Sequence, residues 1–316
     1  MARIATIEER WGPMTKLVLI HGINNQDNDA ERIERDWIEA VQKGLARQNL
    51  TWPDGLDVRA AFYGKTLDEE TISWGKSFEG ASAMSAASPP EDFITGREAA
   101  LYQEFKRAYG LSDEEIEKYL DEEDERPTAT IMARGIHKKW LKAIARALEA
   151  AVPSRGKFLA RRFLRQAAAY LEKPGLKDAI DEMVYQQVFS DIKPDDDVVV
   201  ISHSLGTVVA YSLLRQSSAT LRPKLFLTAG SPLGIEIVKQ RLGAPLICLE
   251  NAPNWVNVAD LEDFVALKPE LTGETFGCEN IENITMVDNG FEDAHDIRMY
   301  LQHDSIAGNI LRAVAH

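Results

Sequence analysis

Apolar residues fall along this chain in short unbroken clusters separated by long intervals of mixed polarity. Seven clusters read as strands: Lys16 to Ile20, Val58 to Tyr63, Val198 to Ile201, Lys224 to Thr228, Leu246 to Leu249, Trp255 to Val258 and Asn283 to Val287. The apolar ones are uniformly apolar rather than alternating, the pattern of strands covered on both faces in a mainly parallel sheet. Parallel strands need crossovers. Asp27 to Gln48 has the form of one, with Ile33, Trp37, Val41 and Leu45 making a helical stripe.

Between about Gly64 and Ile192 the alternation stops. A small-residue loop, Ala81 to Pro90, is followed by mostly helical sequence. The expected organisation is a core made of residues 1–64 and 193–316, interrupted by a helical insertion over 65–192, part of which forms a cap over the site. Charge inside the insertion is segregated: Asp113 to Glu125 holds nine acids and one lysine, whereas Arg134 to Lys173 holds eleven Lys or Arg and two acids. Within the basic part, Trp140, Ile144 and Leu148 form one apolar stripe and Leu159, Phe163 and Ala167 another. Such helices, at 138–165, are candidates for contact with anionic lipid. The competing expectation is that the stripes pack on the core and the cations, Arg161 and Arg162 among them, face the preceding acidic run. Adjacency in sequence and the overall charge favour that second expectation.

The composition narrows the classes. At 316 residues the chain can form two domains or one large α/β domain with an insertion. A formal net charge of −14 repels polyphosphate, so no nucleic-acid partner is expected. Cys248 and Cys278 are too few for a disulfide framework and lack the spacing of a zinc site, which makes a reducing cytoplasm the simplest expected location. Met1 to Lys16 contains Glu8, Glu9 and Arg10 where an export signal needs an apolar run. The longest stretch without Asp, Glu, Lys or Arg, Val198 to Leu214, is broken by serines, a histidine and a glycine and is too polar to span a bilayer.

That same stretch carries the candidate chemistry. VVVISHSLGTVVAY, from Val198 to Tyr211, reads as a buried strand, a tight turn of small residues around Ser204 and an immediate helix. This is the setting of a G-x-S-x-G nucleophile elbow, with Ser202 standing where the first glycine is usual. A serine needs a base, an acid that orients the base, and donors for the oxyanion. Behind the strand ending at Ile20 comes His21-Gly22-Ile23, and the backbone N–H groups of Ile23 and Leu205 are the expected pair of oxyanion donors.

The chain resembles the α/β-hydrolase superfamily, specifically its bacterial lipase- and esterase-like members. The resemblance lies in the HGI segment at residues 21–23, SHSLGTVVAY at the elbow, TAGSPLG from Thr228 to Gly234, WVNVADLEDFVA from Trp255 to Ala266, and Asp293-Ala294-His295 with Tyr300-Leu301 following. It covers the first sixty residues and the last hundred and twenty. It implies an α/β-hydrolase fold with a mainly parallel central sheet and helices on both faces. In such relatives the strand containing W-x-N leads to the acid that orients the histidine, here Asp263, with Phe264 in place of the customary proline and Asp260 as second choice. The implied order Ser204, Asp263, His295 is that of the superfamily. Among the other histidines, His303 is the rival base; His21, His137, His203 and His316 stand in less suitable places. Ser231 is assigned no chemistry.

The expected function is therefore a serine hydrolase that cleaves carboxylic esters through an acyl-enzyme on Ser204, using no metal and no organic cofactor. Its substrate would be a small-molecule or lipid acyl ester. Two alternatives stand beside it: a non-catalytic ligand-binding or signalling module on the same scaffold, and a phospholipase or acyltransferase working at a membrane. The sequence gives neither the acyl-chain length nor the oligomeric state.

Overall fold

The computed structural model describes residues 15–82, 102–107, 109–120, 143–144, 146–147, 150, 156–243, 246–290 and 294–315, with side chains described outside 75–82 and 156–161. His137, Trp140, Lys138, Lys139, Lys142, Leu148, Asp293 and His316, the side chains of Leu159 and Arg161, and nearly all of the Ala81 to Pro90 loop lie outside that description.

Among the described residues, six strands form one parallel sheet: β1 (Lys16–Ile20), β2 (Asp57–Ala61), β3 (Val198–His203), β4 (Leu225–Ala229), β5 (Trp255–Asp260) and β6 (Ile281–Val287). Their order across the sheet is β2-β1-β3-β4-β5-β6. The molecule is thus of the α/β class, with every strand pairing parallel. Uniformly apolar strands bury both faces, and the two faces separate by the period-2 rule. Val18, Ile20, Val198, Val200, Phe226 and Trp255 enter one apolar cluster. Leu17, Leu19, Val199, Ile201, Leu225, Leu227, Val256 and Val258 enter the other.

Helices α1 (Ala30–Arg47), α8 (Ile297–Leu301) and α9 (Asp304–Val314) cover the second face. The stripe Ile33, Trp37, Val41 and Leu45 is buried there, and α1 begins where the Asp29 side chain accepts from Arg32 N at 2.8 Å. The first face is covered by α2 (Gly64–Ser82), α4 (Gly156–Glu172), α5 (Leu176–Val188), α6 (Leu205–Gln216) and α7 (Glu236–Leu242), and the short α3 (Asp113–Glu117) and the helical segment 102–107 add Ile116, Tyr102 and Phe105 to the same cluster. Among the described residues, the stretch 64–192 contributes helices and no strand.

Leu246 to Leu249, expected as a strand, is not one. Leu246 and Leu249 are buried against the first cluster while Ile247 is half exposed. Its backbone needs are met by a side chain instead of a neighbouring strand, since the Tyr211 hydroxyl donates to Ile247 O at 3.1 Å and accepts from Ile247 N at 3.2 Å. Short apolar runs do not distinguish a strand from a buried loop by pattern alone. In the same segment Cys248 is joined to Cys278 by a disulfide. The pair is one link and not a framework, and it removes the argument for a reducing compartment that rested on the cysteines. No helix among the described residues is long and apolar enough to cross a membrane.

The basic stretch packs inward where it is described. Ile144, Phe163 and Ala167 are buried. Arg162 pairs with Asp68 on α2 at 2.8 Å, and Arg146 donates to Tyr119 O at 3.0 Å. At the β2 edge, Glu34 accepts from Ala60 N at 3.0 Å, and the Gln187 amide bonds both Phe62 N (2.6 Å) and Phe62 O (3.1 Å).

The tightest crossing is at the elbow between β3 and α6. A Cβ on Gly206 would collide with the carbonyl oxygens of Ile20 and His21, which are backbone and cannot move aside without shifting β1. Gly206→Ala should therefore destabilise the fold by ~1–3 kcal/mol, as overpacking against fixed atoms does. Urea unfolding measures this, and a variant as stable as the parent chain would contradict the crowding.

Candidate active site

All the elements of the site follow the carboxyl ends of parallel strands, where open α/β sheets form their crevices. Ser204 follows β3 and caps α6 with φ 53° and ψ −130°, a positive-φ conformation that a non-glycine residue holds only when its surroundings impose it. Ser202, in the usual glycine position, is fully buried and its hydroxyl donates to Leu227 O on β4 at 2.9 Å, so the substitution leaves no unpaired group. On β1's exit, a side chain on Gly22 would collide with Ser204 itself.

The structure brings three of the expected residues into one chain of hydrogen bonds. His295 Nε2 lies 3.0 Å from Ser204 Oγ. His295 Nδ1 lies 2.8 Å from both carboxylate oxygens of Asp263. An ionised carboxylate only accepts, so Nδ1 carries the proton and Nε2 is left to accept from the serine hydroxyl. Ser204, Asp263 and His295 are all buried.

Asp263 has two further donors, the Tyr300 hydroxyl at 2.7 Å and Val265 N at 2.8 Å. Burial pushes its carboxyl upward, but His295, Tyr300 and Val265 together outweigh burial and hold it below the ordinary carboxylate value. Phe264, where proline is customary, lays its ring against the imidazole at 5.1 Å between centroids.

Asp260, the second choice for the acid, does something different. Its two oxygens accept from Glu262 N and Asn289 N, each at 2.7 Å, and its own N–H donates to the Tyr300 oxygen at 3.0 Å. Asn289 in turn donates to Ala294 O at 2.9 Å. Asp260 thus fastens the loop that carries His295 without touching the imidazole. His303, the rival base, is the cap residue of α9 and bonds Asn289 Oδ1 at 3.1 Å. Ser231 pairs with Thr207 Oγ1 at 2.8 Å and stays outside the relay.

Leu205 follows the serine directly and Ile23 follows Gly22, which lies against it; among the described residues no acceptor is seen for either N–H. Sequence reasoning missed Tyr300 as a partner of Asp263. Its signal was its place on a helix five residues after His295, but nothing local says which carboxylate it meets. It also missed how His21 and His203 are held. The Nε2 of His21 accepts from Tyr63 N at 3.2 Å, so its Nδ1–H donates to Gly22 O at 2.6 Å. His203 packs its ring on His295 with centroids 4.6 Å apart. Burial depresses His21 to about 4 and His203 to about 3, so both are neutral in the folded protein.

Comparison with models of protein families, with curated proteins and with solved structures found no match. A reading of function therefore starts from the geometry. This geometry can move a proton from Ser204 Oγ to His295 Nε2.

Two buried neutral histidines have a consequence for stability. In the unfolded chain each titrates at its ordinary value of 6.5, whereas in the folded chain each resists protonation until about 4 or 3. Their contribution is complete above pH 6.5 and is lost as pH falls, by ~1.4 kcal/mol per pH unit for each. Thermal melts between pH 7 and 5, where most carboxylates remain ionised, should show this decline, with a shallower slope in His203→Asn. A pH-independent melting temperature over that window would be incompatible with two neutral buried imidazoles.

Proposed function

We propose that the protein is a serine hydrolase with an α/β-hydrolase fold, cleaving carboxylic esters through an acyl-enzyme on Ser204. The observation that carries this reading is the relay Ser204, His295, Asp263, with distances of 3.0 Å and 2.8 Å; the Ile23 and Leu205 N–H groups, for which no acceptor is seen among the described residues, are the expected oxyanion donors. The chain order and the strand, turn and helix around Ser204 agree with it.

In this reading the Ser204 oxygen forms a bond to the acyl carbon as its proton passes to His295 Nε2. The carbonyl oxygen becomes an oxyanion held by the two N–H groups. Asp263 stays ionised and stabilises the imidazolium. Collapse expels the alcohol, which takes the proton from His295. Water, deprotonated by the same nitrogen, then releases the acid and frees the serine. Residues of the helical stretch, Tyr102, Phe105 and Phe163, join the apolar cluster that contains Ile23, Leu205 and Leu233. That continuity supports a cap, part of 65–192, whose apolar underside would hold the acyl chain.

Ser204 has no exposed surface, and this favours a second reading in which a closed scaffold binds a ligand without turnover. One reagent separates the two. A fluorophosphonate should label the protein at Ser204 and leave Ser204→Ala unlabelled. Asp263→Asn should lower kcat on a short p-nitrophenyl ester by ~10⁴-fold, because the imidazole would take the wrong tautomer. A folded protein that neither labels nor hydrolyses any ester from acetate to palmitate, yet melts higher with an acyl ligand, would establish the second reading instead.

A further inference from the structure

If the helical stretch only covered the site, no hydrogen bond would need to run from it to the oxyanion loop. One does. We infer that Gln166, carried by α4, is a positioning residue that fixes the backbone presenting the Ile23 N–H. The inference rests on reading Ser204 as the nucleophile and Ile23 N–H as an oxyanion donor.

The loop after β1 turns through Asn24, whose φ of 60° is left-handed, so the conformation must be held from outside the residue. Two peptide planes flank the Ile23 Cα. The first, Gly22 to Ile23, is pinned at its carbonyl by His21 Nδ1 at 2.6 Å and Asn25 Nδ2 at 3.3 Å. Because the N–H of a trans peptide points opposite to its C=O, this sets the direction of the Ile23 N–H. The second plane, Ile23 to Asn24, is pinned at both ends. Asn25 Nδ2 donates to Ile23 O at 2.8 Å, and Asn24 N donates to Gln166 Oε1 at 3.1 Å. Among the described residues this last bond is the one that reaches residues 22–25 from beyond residue 28.

The Gln166 amide has a fixed direction. Its Nε2 donates to Asp68 Oδ1 at 3.0 Å, and the same oxygen receives Arg162 Nη2 at 2.8 Å. A flipped amide would set oxygen against carboxylate and NH₂ against N–H, so Asp68 obliges the oxygen to face Asn24. Gln166 is 1% exposed, and its helix neighbours three and four residues away are Phe163, Ala169 and Tyr170, all buried, with Arg162. An apolar residue would pack there without the cost of burying an amide. What the amide adds is direction: Arg162 and Asp68 orient Gln166, and Gln166 holds the Asn24 peptide. The oxyanion site is then completed by α2 and α4, not merely sheltered by them.

The test uses the full chain and the variants Gln166→Leu, Gln166→Glu and the reversed pair Asp68→Asn with Gln166→Glu. In the reversed pair the amide introduced on α2 donates to the carboxylate introduced on α4, whose second oxygen still accepts from Asn24. Readouts are kcat and KM on p-nitrophenyl butyrate normalised to titrated Ser204, the rate of fluorophosphonate labelling, inhibition by a trifluoromethyl ketone that forms a tetrahedral oxyanion, and the melting temperature. Both single variants should lose ~10- to 100-fold in kcat and labelling rate, with KM little changed, since a misplaced donor weakens the transition state and not the ground state. Ketone affinity should fall in parallel with kcat, and the reversed pair should recover both. Unchanged kcat in a folded Gln166 variant, or recovery of the melting temperature by the reversed pair without recovery of kcat, overturns the inference while the nucleophile reading stands. An unreactive parent chain overturns the nucleophile reading, and this inference falls with it.

Discussion

A carboxylate buried without solvent must find its donors within the protein, and Asp263 determines much of the architecture at the head of the sheet. Its three donors come from three places: His295 beyond β6, Tyr300 on α8 and Val265 in its own loop. Each bond that stabilises the charge also fixes an element of backbone. The Tyr300 oxygen extends the arrangement by accepting from Asp260 N, and Asp260 holds Asn289 at the start of the histidine loop. The imidazole is thereby set at hydrogen-bond distance from Ser204 by the requirements of a charge on its far side.

The polar residues of the neighbouring strands serve the same end. On β5, Asn257 accepts from Thr228 and donates to Pro269 O and Asn283 Oδ1, while Asn283 bonds both N–H and C=O of Leu271. The loop between β5 and β6, which contains Asp263, is thus stitched to the two strands it joins. The W-x-N pattern is a sheet feature before it is a site feature.

What could be read along the chain follows from the range of the interactions involved. Strands buried on both faces announce themselves as apolar runs, and five of the expected ones besides β1 fall on observed strands within a few residues. Leu246 to Leu249 shows the limit, because burial alone was visible and the pairing partner was a tyrosine hydroxyl. Ser204 stands out because its elbow is a local event of strand, turn and helix. Asp263 and His295 came from likeness to a superfamily; spacing alone left Asp260 and His303 open. Gln166 was invisible, since its partner Asn24 is 142 residues distant and nothing in α4 marks one glutamine among its neighbours. The basic stretch was legible in part: its apolar stripes, where described, pack inward as expected. Arg162 meets Asp68, 94 residues earlier, a partner that sequence adjacency does not suggest, whereas Arg146 donates to Tyr119 O within the acidic run itself.

The outer edge of β2 is finished by side chains. Glu34 occupies the position of a carbonyl opposite Ala60, and the Gln187 amide reproduces both halves of a strand's bonding at Phe62. A seventh strand arriving there, from this chain or a foreign one, would find those outward groups already engaged and would have to displace them before pairing. Sheet growth in that direction is thus opposed by occupancy, without a proline or a bulge, and replacing these two side chains would turn a closed boundary into an open template.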